Sequence, residues 1–152
     1  MTNTPSILLF DEEHVLRRAT ALMLSNRGGR VSAAATLEEA LEYAARRTYD
    51  VAVLDLPGRG GSELLAKMHE RGCLPKKVIL CSTLPVTPLE TSACTDVIMK
   101  PFAFEDLLRA VFGRCGPPRP LRSGAPPRSG VFPRQRKVKV WRRAGKAQHD
   151  RG

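Results

Sequence analysis

Five short apolar runs recur along the first two thirds of the chain, each followed by a segment of helical period. This alternation constrains the fold more than any other feature. The runs are Ser6–Phe10 (SILLF), 31–35 (VSAAA), Val51–Asp55 (VAVLD), Lys77–Ser82 (KVILCS) and 96–100 (DVIMK). Continuously apolar runs of this length suit strands buried on both faces. Over 12–27, Val15, Ala19, Leu22 and Met23 recur at the spacing of one helix face, and Arg27-Gly28-Gly29 ends that helix. Thr36-Leu37-Glu38-Glu39 reads as a capping box, and the helix behind it places Leu37, Ala40, Leu41 and Ala44 together. A glycine-rich turn at 57–61 leads into a helix over 62–70 with Leu64, Leu65 and Met68 inward. Segment 83–95 is ambiguous, because Pro85 and Pro88 spoil its first half as a helix. Phe104–Phe112 closes the series with Leu107, Leu108, Val111 and Phe112 on one face. The pattern predicts an α/β fold, a doubly wound five-stranded parallel sheet covered on both sides.

Charge divides the chain. The net charge is +10 over 152 residues, yet residues 1–113 hold 13 basic and 14 acidic side chains. Residues 114–152 hold the other 12 basic groups and one acid, Asp150, so a uniformly basic domain is excluded. Six prolines and five glycines interrupt this last segment. Such a composition cannot repay the entropy of ordering and predicts a disordered basic tail. Its exception is 138–141, a short β-prone patch. The expected organisation is a domain at 1–113 and an arm at 114–152. No run of 18 apolar residues and no signal peptide is present, which predicts a cytoplasmic chain without a membrane span. Cys73, Cys81, Cys94 and Cys115 form no C-x-x-C pair, which argues against zinc and for free thiols.

In a doubly wound sheet, ligands collect beyond the carboxyl ends of the strands. Those ends deliver Asp11 and Glu12, then Asp55, then Ser82, then Lys100 followed by Pro101. Three carboxylates at one edge repel, and a hard dication relieves them; oxygen donors favour Mg²⁺. Lys100 offers a compact positive charge to phosphoryl oxygens, and Ser82 a hydroxyl donor, with Thr83 beside it as an alternative. Asp55, on the central strand, is the natural nucleophile for an acyl phosphate. His14, a turn beyond the acidic pair, reads as a solvated surface histidine.

ILLFDEE (7–13), VAVLDLP (51–57), VILCS (78–82) and VIMKPF (97–102) stand in order at these strand ends. With them the chain resembles a bacterial two-component response-regulator receiver domain, CheY-like, over residues about 5–113. The resemblance implies the flavodoxin-like strand order 2-1-3-4-5. It implies that Asp55 is the phosphoacceptor and that Asp11, Glu12, Asp55 and the Pro57 backbone carbonyl hold Mg²⁺. Ser82 would be the switch hydroxyl, Lys100 would pair with the phosphoryl group, and the Lys100–Pro101 bond would be cis. The donor would be a histidine kinase, a phosphotransfer protein or acetyl phosphate. The protein would be no enzyme beyond its own phosphorylation and dephosphorylation. Its output would switch protein contacts on the face of helix 4, strand 5 and helix 5.

Departures from the pattern are specific. Glu12 stands where the family more often has Asp, and Val97 where it carries Tyr or Phe. The connection from Asp55 to Ser62 looks about two residues short, and that from Ser82 to Lys100 about four. These support a rival expectation, a phosphorylation-independent pseudo-receiver that serves as a binding module. The arm 114–152 supports another, weak nucleic-acid contact through phosphate neutralisation, with Trp141 available to stack. The arm could also fold back on the acidic edge.

Overall fold

All five apolar runs form strands, and each pairs with its neighbours in parallel. In the computed structural model, which describes residues 4–56, 60–113 and 139–141, the elements alternate along the chain. They are β1 (Ser6–Phe10), α1 (His14–Asn26), β2 (Arg30–Ala34), α2 (Leu37–Arg46), β3 (Val51–Asp55), α3 (Gly60–Glu70), β4 (Lys77–Ser82), α4 (Pro88–Ala93), β5 (Asp96–Met99), α5 (Phe104–Phe112) and β6 (Lys139–Trp141). The sheet order is β2-β1-β3-β4-β5-β6. The expected order of the first five strands is therefore present, with β3 at the centre.

The sheet divides the core into two layers because successive side chains on a strand point to opposite faces. Leu8, Phe10, Ala52, Leu54, Val78, Leu80 and Val97 pack with Ala40 and Leu41 of α2 and Leu64, Leu65 and Met68 of α3. Their odd-numbered neighbours Ile7, Leu9, Val51, Val53, Ile79 and Cys81, together with Ile98, pack with Leu24 of α1 and Leu107, Leu108 and Val111 of α5. Among the described residues no helix is long and apolar enough to cross a membrane.

Four expectations change. The buried stripe of α1 is Thr20 and Leu24, whereas Val15 and Leu22 are exposed. Apolar residues occupy two stripes of this helix, so period alone selects the wrong one; the sheet takes the stripe containing a threonine. At α2, Thr36 accepts from the Glu39 amide, but Glu39 reaches the amide of Ala35 rather than closing a box on Thr36. Segment 83–95 does form a helix: Pro88 sits in its first turn, where a missing N–H costs nothing, and Thr87 and Glu90 close a full capping box. Finally, the sheet has six strands rather than five. β5 ends the expected sheet and presents an open row of backbone groups; Lys139–Trp141, from the arm expected to be disordered, pairs with it. Residues 114–138 and 142–152, and with them most of the arm, lie outside the described residues.

The joint between β3 and α3 depends on glycine. A Cβ on Gly61 would collide with the carbonyl oxygen of Asp55 and approach the Leu56 side chain to 2.9 Å. The first turn of α3 thus lies directly against the end of the central strand. Gly61→Ala should cost about 1–3 kcal/mol in urea unfolding, since backbone rather than a flexible side chain must yield. An unchanged denaturation midpoint would show that α3 can slide outward freely.

Candidate functional site

Each strand end delivers its side chain to the same edge of the sheet. β1 runs out into Asp11, which is buried. Its Oδ1 accepts from the Glu13 amide at 2.8 Å and so organises the entry to α1. Arg17 returns from the helix to donate to the Asp11 carbonyl at 2.8 Å, which fixes this turn from the other side. Glu12 is exposed, and its carboxylate lies over the start of α3: a Cβ on Gly60 would collide with Glu12 Oε1 and come within 3.1 Å of the Phe10 ring. The glycine-rich turn is therefore needed for the close approach of two neighbouring elements. Sequence reasoning took it only as a turn, although the run Gly58-Arg59-Gly60-Gly61 carried the signal.

Asp55 ends β3 with its side chain 11% exposed. Lys100 follows the last residue of β5 and places Nζ 2.6 Å from Asp55 Oδ1. The contact is a close ion pair, in which the Lys100 ammonium offsets part of the burial of Oδ1. Burial raises the Asp55 carboxyl above the ordinary aspartate range; Lys100 opposes this, and Asp11 and Glu13 add to it. Glu13 is thus an acid of the site that the strand-end reading passed over, and the run Asp11-Glu12-Glu13 was the available signal. The Lys100 amide donates to the Ser82 carbonyl at 2.7 Å, and the Lys100–Pro101 bond is cis, as expected.

Ser82 is buried, but its hydroxyl is engaged locally. Oγ donates to the Leu84 carbonyl at 2.7 Å and accepts from the Leu84 amide at 3.1 Å. Thr83 instead lines a cavity of about 390 Å³ together with Asp11, Asp55 and Lys100. Leu16 and Phe102 are among the apolar side chains of that cavity. Pro57 lies outside the described residues, so its carbonyl has no assigned place. His14 is exposed. Cys81 pairs in register with Asp55, is buried, and has its thiol pushed up to about 12, chiefly by burial and next by the Asp55 charge. Cys73, Cys81 and Cys94 are free thiols.

Among the described residues, no three Asp, Glu, His or Cys side chains converge closely enough to form a ready metal site. The donor chemistry nonetheless suits a hard cation. Asp11 and Asp55 are buried or nearly so, and burial first, then the charges of Asp11 and Glu13, raise the Asp55 carboxyl against the pull of Lys100. The edge can therefore hold an oxygen-ligated cation beside a carboxylate nucleophile and a fixed lysine.

The comparisons with known proteins agree with this geometry. Residues 7–112 match the response regulator receiver domain family. The transcriptional regulatory protein AfsQ1 of Streptomyces coelicolor is 32% identical over 120 residues, covering 72% of this chain and 52% of that protein. The chain thus spans about half the length of this curated relative. The CheY-like receiver domain protein of Methanospirillum hungatei superposes with a TM-score of 0.62 at 27% identity, covering 72% of this chain and 91% of that one. The response regulator TrrA of Thermotoga maritima, solved in complex with Mg²⁺ and beryllofluoride, gives a TM-score of 0.60 at 27% identity, covering 71% and 96%. By sequence, fold and the layout of its strand ends, the chain belongs to the response regulator receiver domain family.

Proposed function

We propose that Asp55 accepts a phosphoryl group from a histidine kinase, a phosphotransfer protein or a small acyl phosphate, and that the modified domain switches its protein contacts. The observation that carries this reading is the nearly buried Asp55 carboxylate, held at the end of the central strand against Lys100. A carboxylate oxygen forms the new bond to phosphorus while the bond to the donor's leaving nitrogen or oxygen breaks, and the leaving group keeps the electron pair. Lys100 stands ready beside the nucleophile, its backbone fixed by the bond to the Ser82 carbonyl, so that its ammonium has only to turn from Asp55 to the incoming phosphoryl oxygens. Thr83, in the cavity, and Ser82, after release from Leu84, are the hydroxyls available to the same oxygens.

Asp11 and Asp55 are the carboxylates to hold Mg²⁺, with Glu12 and the Pro57 carbonyl completing the protein donors. When bound, the ion supplies charge neutralisation to the transferring group. The Mg²⁺ in the complex of the Thermotoga relative supports the choice of ion. The AfsQ1 relative is a transcriptional regulatory protein, and the arm 114–152 offers this chain only sequence-blind phosphate contacts of its own.

One set of observations favours the pseudo-receiver as a second reading: Ser82 is tied to Leu84, and Glu12 lies over Gly60. Acetyl phosphate separates the two. The receiver reading expects Mg²⁺-dependent labelling of the wild type, loss of labelling on chelation, and none in Asp55→Asn, read by intact-protein mass spectrometry or by trapping of the acyl phosphate. An unlabelled wild type with Mg²⁺ present leaves the pseudo-receiver. Asp11→Asn should weaken Mg²⁺ binding by at least about tenfold in a calorimetric titration.

Asp55 also sets a pH dependence. Its folded carboxyl is raised above the unfolded value, so it binds its proton more tightly in the folded state. The stability it contributes is present in acid and is lost as pH rises through the raised value. Asp55→Asn should therefore melt higher than wild type at neutral pH, with the gap closing below the ordinary carboxylate range. Scanning calorimetry across that range checks the sign, and a lower melting temperature at neutral pH would mean that the Lys100 pair outweighs burial.

A further inference from the structure

The sixth strand calls for a role of its own. β6 pairs in parallel with β5 in the register Asp96↔Lys139, Val97↔Val140 and Ile98↔Trp141, and the Lys139 amide donates to the Thr95 carbonyl at 3.3 Å. It covers the edge of the strand that leads directly into Lys100. Of its described side chains, Val140 is 52% exposed and Lys139 is exposed as well. Backbone pairing attaches β6 to one strand only, and a short edge strand paired on one side is among the elements that open most readily.

Connectivity permits the opening. Lys77 at the start of β4 donates to the carbonyls of Ala110 and Val111 at 2.8 and 3.3 Å, so α5 ends at the edge of the sheet where the strands begin. β6 also starts at that edge, opposite the first residue of β5. Twenty-five residues, 114–138, join the two ends, about twice what a parallel crossover needs. By length alone this connection does not oblige β6 to stay on β5, and it limits how far β6 can travel.

We propose that Lys139–Trp141 is an intramolecular strap: docked, it covers the β5 edge and holds the strand that presents Lys100, and loading of Asp55 releases it. The release rests on the phosphoacceptor reading given above; the docking does not. The link is mechanical and short. β5 is bonded along one edge to β4 and along the other to β6, and Lys100 at its end pairs with Asp55 across β4. The docked strap coexists here with the direct Lys100–Asp55 pair of the unmodified site. A group on Asp55 redirects Lys100 and with it the end of β5, which favours the unstrapped arrangement. By reciprocity, a strap that cannot dock favours loading. Once released, the β5 edge is open to an extended segment of a partner protein, which pairs with it as β6 does.

Hydrogen–deuterium exchange on the full chain tests both parts, with loading by beryllofluoride and Mg²⁺ followed independently by fluorine resonance. Amides of β5, and those of Lys139 and Trp141 that face it, should be protected in the free chain. In Lys139→Pro, which removes the donor to Thr95, the β5 amides should exchange faster without any loading. Loading of the wild type should speed exchange in both segments by at least about tenfold, in the range of ordinary coupling energies. Asp55→Asn with the same additions should show no change. Absence of protection at the Lys139 and Trp141 amides, or β5 exchange identical in Lys139→Pro and wild type, overturns the strap. Unchanged protection in a chain that fluorine shows to be loaded overturns its release and leaves the phosphoacceptor reading standing. No bound fluorine signal in the wild type overturns that reading and the release with it, while the docked strap is still decided by Lys139→Pro.

Discussion

The contact between Lys100 and Asp55 is the interaction on which the rest of this domain is arranged. A carboxylate at the end of a central strand is costly to hold in charged form, and here burial outweighs the attraction of the lysine 2.6 Å away. The site is therefore held short of full compensation. Two acids of the β1–α1 turn, Asp11 and Glu13, push in the same direction. The deficit is local, because everything around it is secured by the sheet: β3 is flanked by paired strands on both sides, and both of its faces are packed. Such an edge favours added positive charge and chemistry that spreads or removes the charge of the carboxylate.

The sheet converts sequence distance into proximity without help from the loops. Four of the parallel strands, β1, β3, β4 and β5, bring their ends to one edge by direction alone, whatever the conformation of the connections. This explains why Asp11, Asp55 and Lys100 were legible in the sequence. The assignment needed only the ends of apolar runs, and those are the least ambiguous feature of a strand buried on both faces. The cis bond at Pro101 came from family resemblance and not from the residues alone.

What the sequence did not disclose depends on tertiary choice. Apolar residues on two stripes of α1 left the sheet free to select Thr20 and Leu24, and no periodicity distinguishes the stripes. Ser82 occupies the expected place, yet a hydroxyl one residue before a loop finds the Leu84 backbone as readily as a ligand, and local bonds of this kind leave no mark on residue type. The helix at Pro88 was readable in principle, since Thr87-Pro88-Leu89-Glu90 is a start signal, but the prolines read as breakers. β6 is the opposite case. Its β-prone residues were visible, while its partner was an open edge 43 residues away that only the assembled sheet creates.

Burial beneath the site has a consequence for chemical selectivity. Cys81 lies across from Asp55 in the neighbouring strand, and a thiolate there would be the stronger nucleophile of the two. With its thiol pushed up to about 12, only roughly one molecule in a hundred thousand carries that thiolate at neutral pH. The apolar packing that makes the carboxylate uncomfortable thus silences its only sulfur neighbour among the described strand partners of Asp55. An electrophile arriving at Asp55 meets no thiolate beside it.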